Sequence, residues 1–453
     1  VKSPSNTGIL MASQTHIEQS PPPSQIPRWN LATRFAFRFC FVYFGLYCLI
    51  TQVLPGLMPT PPSVSIPNLD TFWPMRQIIF WTAAHIFRVT HALVYLGSGS
   101  GDKTFDWVEA FCLLVFAALA AGIWSALDRR RENYVTLYKW FRLFIRFAVA
   151  GQMLAYGFAK IIPLQMPFPF LSTLLEPFGH LSPMGVLWTS IGAAPAYEIF
   201  AGSAEALGGI LLIVPYTTTL GALVCLADMT NVFMLNMAYD VPVKLFSFHM
   251  ILLSLFLLAP ELPRLANFFF RNRAAGPSAQ PPLFRARRAN RIAIAVQIVF
   301  GLFLLGMNTY AGWDGWKLYG GATQSPLGGI WDVGQMSIDG QVRSPLLNDY
   351  GRWRRVIFES YGTPFVIFQH MDDSFAYYAT SINAHDKTIA LTKSSDKKWK
   401  ALFTYQRPTQ NQLILDGQMD NHKIHIQLQL FDTKKFLLVS RGFHWIQEYP
   451  YNR

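Results

Sequence analysis

YEIFAGSAEALGGILLIV, residues 197–214, is apolar enough to cross a bilayer, yet it carries Glu198 and Glu205. The same mixture recurs around it: Lys160 in YGFAK (156–160), Asp228 and Asn231 in LADMTN (226–231), and Asp240, Lys244 and His249 in YDVPVKLFSFH (239–249). Ionisable groups inside a membrane are costly, so they face a bundle interior or a wet cavity and mark the working part of the protein. These segments between Phe141 and Pro260 make the chain a membrane α-helical bundle at its centre.

Glu198 and Glu205 are seven residues apart, about 700° of helical rotation, so they share a face with Gly202 and roughly with Gly209. Asp228 and Asn231, three apart, share a face on the next span. Unpaired charges in such places shift their pKa or neutralise, so Lys160 with Glu205 or Glu198, and Asp240 with Lys244, are the expected pairs. Counted by helical rise, Lys160, Glu198, Asp240 and Lys244 fall toward the outer half of the membrane, with Glu205 and Asp228 nearer its middle. Read blandly, they fix helix packing; read functionally, they line a polar pocket opening to the outer leaflet. His249, alone in its span, reads as a hydrogen-bonded core histidine before a ligand.

Outward from this centre, further spans are expected at about 31–54, 105–127, 138–162, 220–237, 242–258 and 292–307, about seven in all with the first stretch. Gly202, Gly208, Gly209 and Gly221 allow the hairpin of the fourth and fifth spans to close tightly. Arg28 and Arg34 precede the first span, DRRRENY follows the second, and Arg264 to Arg288 form a basic link before the last; these place the N-terminus inside. Arg38 is free to snorkel back to the headgroups. AAGPSAQPP in the link reads as flexible, and the Pro-rich residues 1–30 as a disordered tail. Residues 74–98 hold Arg76, His85, Arg88 and His91; they suit an amphipathic helix at the outer interface, with a tilted span as the alternative. PLQMPFPFLSTLLEPFGHLSPMG (163–185) reads as a plug or re-entrant segment, or as a docking surface for a lipid or partner.

From about Ala311 the pattern changes to short alternating stretches such as WRRVIFES, KWKALFTYQ, NQLILDGQ, HKIHIQLQL and KKFLLVSRGFHW, with turn signals DG, DNHK and DTKK. That is the mark of an all-β sandwich or small barrel. Its last strand is expected in RGFHW, which would put Arg441 and His444 on opposite faces.

Composition agrees: 51% hydrophobic and 14% charged residues suit a polytopic membrane protein with a soluble appendage. The net charge of +12 clusters beside the spans, as topology signals do, and argues against nucleic acid as a partner. Cys40, Cys48, Cys112 and Cys225 all fall in apolar segments without metal-ligand spacing and read as packing residues, so no metal is expected.

At YGFAK, AEALGGILLIVPYTTTLGALV (204–224) and NMAYDVPVKLFSFHMILL (236–253) the sequence resembles the DoxX family of small four-helix membrane proteins. The likeness covers about 141–260, with Lys160 and Glu205 at matching positions; the remaining parts resemble an extended subgroup with a C-terminal β domain. More distantly, the bundle is similar to that of vitamin-K-dependent carboxylases and of eukaryotic cargo-receptor proteins. The resemblance implies redox work in the bacterial inner membrane, since the family is named from a subunit of a thiosulfate:quinone oxidoreductase, with the β domain periplasmic. On this reading Lys160, Glu205 and Asp240 are catalytic candidates, Glu198, Asp228, Asn231, Lys244 and His249 line the pocket, and a quinone is the expected cofactor. Membrane lipid and other subunits of a membrane complex are the expected partners. Two alternatives stand beside it: a non-catalytic assembly subunit, and a carrier holding a lipid inside an open β barrel.

Overall fold

The computed structural model describes residues 28–60, 69–278, 280, 282–320, 325–359, 365–393, 395–396 and 398–452. All but the last three residues of the expected disordered tail, 1–30, lie outside this set. The helices are α1 (Leu31–Ile50), α2 (Val53–Leu57), α3 (Met75–His85), α4 (Thr104–Leu127), α5 (Val135–Ile161), α6 (Pro183–Gly192), α7 (Pro195–Ile213), α8 (Thr218–Ala238), α9 (Lys244–Leu258), α10 (Leu262–Phe269), α11 (Arg287–Gly315) and α12 (Leu437–Ser440).

Six helical stretches among the described residues are long and apolar enough to cross a membrane: α1, α4, α7, α8 with its preceding turn, α9 continued through α10, and α11. The expected count of about seven included α5. This helix has 27 residues but carries Lys139, Arg142, Arg146 and Lys160, so it fails on composition rather than length. Its charges are covered by protein, because α5 is the central helix and packs against α1, α2, α7, α9 and α11. The helix α3, 11 residues or about 16 Å, is too short to span. His85 ends it and His91 lies beyond.

The helix ends sort into two sets. At the basic end, the N-terminus of α1 meets the α4–α5 link: Arg34 donates to the Arg131 carbonyl at 2.6 Å, and the Trp29 amide to the Glu132 carbonyl. Arg38 does not snorkel. It is buried, donating to the Tyr134 hydroxyl (2.6 and 2.9 Å), Ser125 Oγ (2.7 Å) and the Asp128 carbonyl (2.9 Å), so the bundle itself solvates the charge. The AAGPSAQPP link is likewise tied down rather than loose: Ser278 and Gln280 donate to Glu261 at 2.6 and 2.9 Å, and Lys139 donates to the Pro282 carbonyl. At the opposite end Gly101 donates to the Pro242 carbonyl, and Asp102 caps α9 by accepting the amides of Lys244 (2.8 Å) and Leu245 (2.9 Å). A carboxylate there satisfies orphan N–H groups and suits the helix dipole.

The C-terminal unit is an antiparallel barrel of β1 (Gly329–Ile338), β2 (Gln341–Val342), β3 (Trp353–Phe358), β4 (Phe365–His370), β5 (Phe375–Asn383), β6 (Thr388–Thr392), β7 (Lys400–Thr409), β8 (Gln412–Met419) and β9 (His422–Leu430). Consecutive strands pair from β3 to β9, β1 pairs with both β3 and β9, and β2 only extends the end of β1, so eight strands close the ring. Closure leaves no long free edge. The alternation of side chains fills the interior with Trp331, Phe358, Phe368, Phe403, Leu413 and Ile426, all nearly inaccessible. The barrel is packed through its core rather than open.

Three expectations for this domain need correction. Asp416-Gly417 is no turn: it lies inside β8, where a Cβ on Gly417 would sit 2.4 Å from the Phe403 ring, so glycine makes room for that aromatic across the strands. The tight turns are Asp339-Gly340 and Asp420-Asn421, each with two positive φ values. KKFLLVSRGFHW forms no strand; closure by β1 and β9 leaves nothing for it to pair with, and it becomes the short α12 and an irregular tail in which Arg441 donates to His444 Nε2 at 2.9 Å. Finally, α11 runs on to Gly315, past both its expected end near Met307 and the composition change at Ala311.

The Pro- and Phe-rich loop is the barrel's seat. Glu359, just after β3, is buried and accepts the amides of Leu171 (3.1 Å) and Ser172 (3.0 Å) and the Ser172 hydroxyl (2.8 Å). Leu171 and Leu175 pack beside them on Ile330, Ile357 and Ile367 of the barrel's outer face.

Candidate functional site

The centre of the bundle is the α5–α7 contact, and glycine sets its closeness. A Cβ on Gly157 would lie 2.8 Å from the Gly202 carbonyl oxygen, and one on Gly202 would lie 2.6 Å from the Gly157 carbonyl oxygen and from Lys160 Cβ. Gly209 continues this seam against Ala150 and Leu154, whereas Gly208 and Gly221 face across the α7–α8 hairpin. Two of the four glycines expected to close that hairpin therefore serve the α5 contact instead.

This approach brings Lys160 Nζ to 2.6 and 2.8 Å from the two oxygens of Glu205, with both side chains buried. A two-oxygen pairing of a buried ammonium is the geometry that offsets part of its desolvation. Tyr156, one turn before, sets its ring 5.9 Å from Nζ. Glu198 is wholly inaccessible and accepts the Met166 amide at 3.0 Å through one oxygen; its other oxygen has no hydrogen-bond partner. Asp228, on α8, also has a buried oxygen without a partner and lies within electrostatic range of both Lys160 and Glu205. Of the expected residues, Lys160 and Glu205 thus form the buried pair, and Glu198 and Asp228 each add a carboxylate oxygen without a hydrogen-bond partner.

The other four fall elsewhere. Asp240 pairs with Lys244 at 2.8 Å, but its side chain is 82% exposed in the α8–α9 turn, and no hydrogen bond or ion pair ties it to Lys160 or Glu205. Lys244 also lies 3.8 Å from Asp102. Asn231 is exposed on the outer face of α8; the buried asparagine of that helix is Asn236, which donates to Ser247 Oγ at 3.0 Å. His249 is walled in: Nδ1 donates to the Leu245 carbonyl at 2.7 Å, Nε2 accepts from the Tyr43 hydroxyl at 2.8 Å, and the ring stacks on Tyr47 at 3.9 Å. It is a satisfied core histidine between α1 and α9 rather than a pocket lining.

Sequence reading overlooked Asp102, Glu359 and the acceptor-poor arginines of α5. Asp102 and Glu359 sit in loops with no local signal, since their partners are 142 and 187 or more residues away. Lys139, Arg142 and Arg146 were legible as a stripe at helical spacing. Their position just after DRRRENY makes topology the ready explanation. Among the described residues no group of three or more His, Cys, Asp or Glu is placed to hold a metal ion.

No protein-family model matches the chain, and no solved structure matches it. Over an alignment of 138 residues, which takes in 28% of the chain and 79% of the relative, it is 28% identical to the uncharacterized protein YwoB of Bacillus subtilis (strain 168).

Proposed function

We propose that the chain is a DoxX-like integral membrane protein whose α5–α7 site exchanges protons with a quinone or a similar lipid-soluble redox partner. On this reading α5 is a seventh span, about 40 Å long, the basic end faces the cytoplasm and the barrel lies on the other side. The observation that carries the proposal is the state of the carboxyl groups here: Glu205 pairs with Lys160, while Glu198 and Asp228 each bury an oxygen that has no hydrogen-bond partner. One cation cannot neutralise three carboxylates away from water, so the site is a place where protons are held and passed. Reduction of a quinone consumes two electrons and two protons; the bundle's own groups handle the protons, and a separate donor supplies the electrons. Lys160 and Glu205 are the groups assigned to that exchange, Glu198 and Asp228 its reserve. Asp240, solvent-exposed and apart from the site, has no part in it.

The test is quinone content of the full-length protein purified in native-lipid nanodiscs, measured by extraction and chromatography. Near-stoichiometric quinone that is lost in Lys160→Ala and Glu205→Gln, both still inserted, supports the reading. Equal quinone content in wild type and variants removes it.

One observation favours a second reading, an assembly subunit of a larger membrane complex. The tail after α12 leaves Phe443, Trp445, Ile446 and Tyr449 between 78 and 87% exposed, a cluster of large apolar side chains that suits a protein partner. Stoichiometric co-purification of another subunit, lost on truncation after Ser440, would favour it over the first.

A further inference from the structure

The basic end of the bundle holds a half-open cavity of about 1050 Å³ between α5, α8, α10, the tied-down link and α11. Its polar wall is made by Arg142, Arg146, Arg264, Arg285, Arg287 and Arg291, together with Lys139, and no carboxylate is among its lining residues. Two of these cations, Arg142 and Arg146, are buried without an ion pair, although Glu261 attracts Arg142 from beyond ion-pair distance. Arg142 donates to Gln280 Oε1 and to the Leu257 carbonyl; Arg146 donates to Gln297 Oε1 and Thr218 Oγ1. In each the Nε–H is buried with no acceptor. Arg264, by contrast, already pairs with Glu261 at 3.1 Å.

A buried guanidinium hydrogen-bonded only to neutral acceptors lacks the direct ion pair that normally repays its desolvation. Two such planar groups one helical turn apart on α5, facing a cavity rimmed by more arginines, fit the oxygens of a phosphate group. An apolar side of the lining is made by Leu220, Leu223, Leu265, Phe268 and Phe269, of which Leu220, Phe268 and Phe269 are more than half exposed. A free inorganic anion has no use for such a surface; an acyl chain does.

We infer that this cavity is a binding site for an anionic phospholipid, its phosphate held by Arg142 and Arg146 and its chains lying over the α8 and α10 side chains. This goes beyond the redox reading and does not depend on it, since the site lies at the opposite end of α5 from Lys160.

The test is native mass spectrometry of the full-length protein released from micelles doped with equal phosphatidylglycerol and phosphatidylcholine. Preferential retention of one phosphatidylglycerol, cut about fivefold by Arg285→Gln or by Arg291→Gln, is expected from the loss of one rim charge. Both residues are exposed, so these variants fold even where Arg142→Gln or Arg146→Gln does not. Those two, where they fold, abolish the preference. Equal retention of both lipids would overturn the inference. So would displacement of phosphatidylglycerol by millimolar inorganic phosphate, which would make the site one for free anions.

Discussion

Substituting Gly202 by alanine tests whether the site depends on helix contact. The added Cβ would stand 2.6 Å from the Gly157 carbonyl oxygen and 2.8 Å from the Ile161 amide nitrogen, both backbone atoms that cannot swing aside. Ordinary contact begins at 3.4 Å, so α5 and α7 must part by 3.4 − 2.6, or 0.8 Å, at this level. The same movement stretches the 2.6 Å link between Lys160 and Glu205 beyond hydrogen-bonding length unless the side chains follow. Overpacking of this kind costs about 1–3 kcal/mol. Removing one partner of a buried pair, as in Lys160→Met, costs about 3–5 kcal/mol. If separation weakens the pair, Lys160→Met is less damaging in the Gly202→Ala background than alone, and the two effects fall short of their sum. Reversible SDS titration of the detergent-solubilised protein measures each variant, with Gly122→Ala as the control because nothing lies within 4 Å of its Cβ. Strict additivity would show that the helix contact does not govern the pair, and an unchanged midpoint for Gly202→Ala would refute the close packing itself.

Glu359→Ala strands the buried amides of Leu171 and Ser172, at about 1–3 kcal/mol each, and is expected to free the 163–182 loop. Faster proteolytic cleavage within that loop is the readout, and wild-type resistance would disprove the anchoring. Asp102→Ala removes the cap of α9, costing about 0.5–2 kcal/mol, and accelerates hydrogen exchange at the amides of Lys244 and Leu245; unchanged exchange there would count against it. The hydrogen bond from the His422 ring, then the Lys423 amide, holds the Asp339 carboxyl below its ordinary value of 3.8. A depressed folded-state pKa gives stability that is present above the unfolded value and lost as pH falls through the folded one. Asp339→Asn should therefore lessen the fall in barrel stability below about pH 4. The slope is reduced rather than abolished, because Asp372, held low by the Ser374 hydroxyl and amide, contributes its own share. Urea midpoints across the acid range decide this, and identical slopes would rule it out.

The helical region was legible wherever one segment's own residues settle the matter. The apolar runs gave helix positions, and the spacing of Glu198, Gly202, Glu205 and Gly209 gave the buried face of α7. Partner choice was legible only in part: Lys160 had two carboxylates within reach on paper, and the glycine seam selected Glu205. Asp240 misled because a charge beside a span end looks alike whether it turns inward or to solvent. The fate of Arg38 turned on Tyr134, 96 residues away, which no local pattern could supply. In the β domain alternation located the strands, but Asp416-Gly417 carried a turn signature that the Phe403 ring overrode. Ring closure by β1 and β9, a long-range pairing, is what excluded the tail as a strand.

The loop after α5 is gripped twice within a few residues, at Met166 by Glu198 and at Leu171 by Glu359. Five residues reach about 18 Å at full extension, so this strand of chain is a short tether with little slack. A tilt that carries the barrel beyond that reach breaks one grip or the other. Glu198 on α7 is therefore joined, through a few peptide bonds, to whatever load the barrel bears.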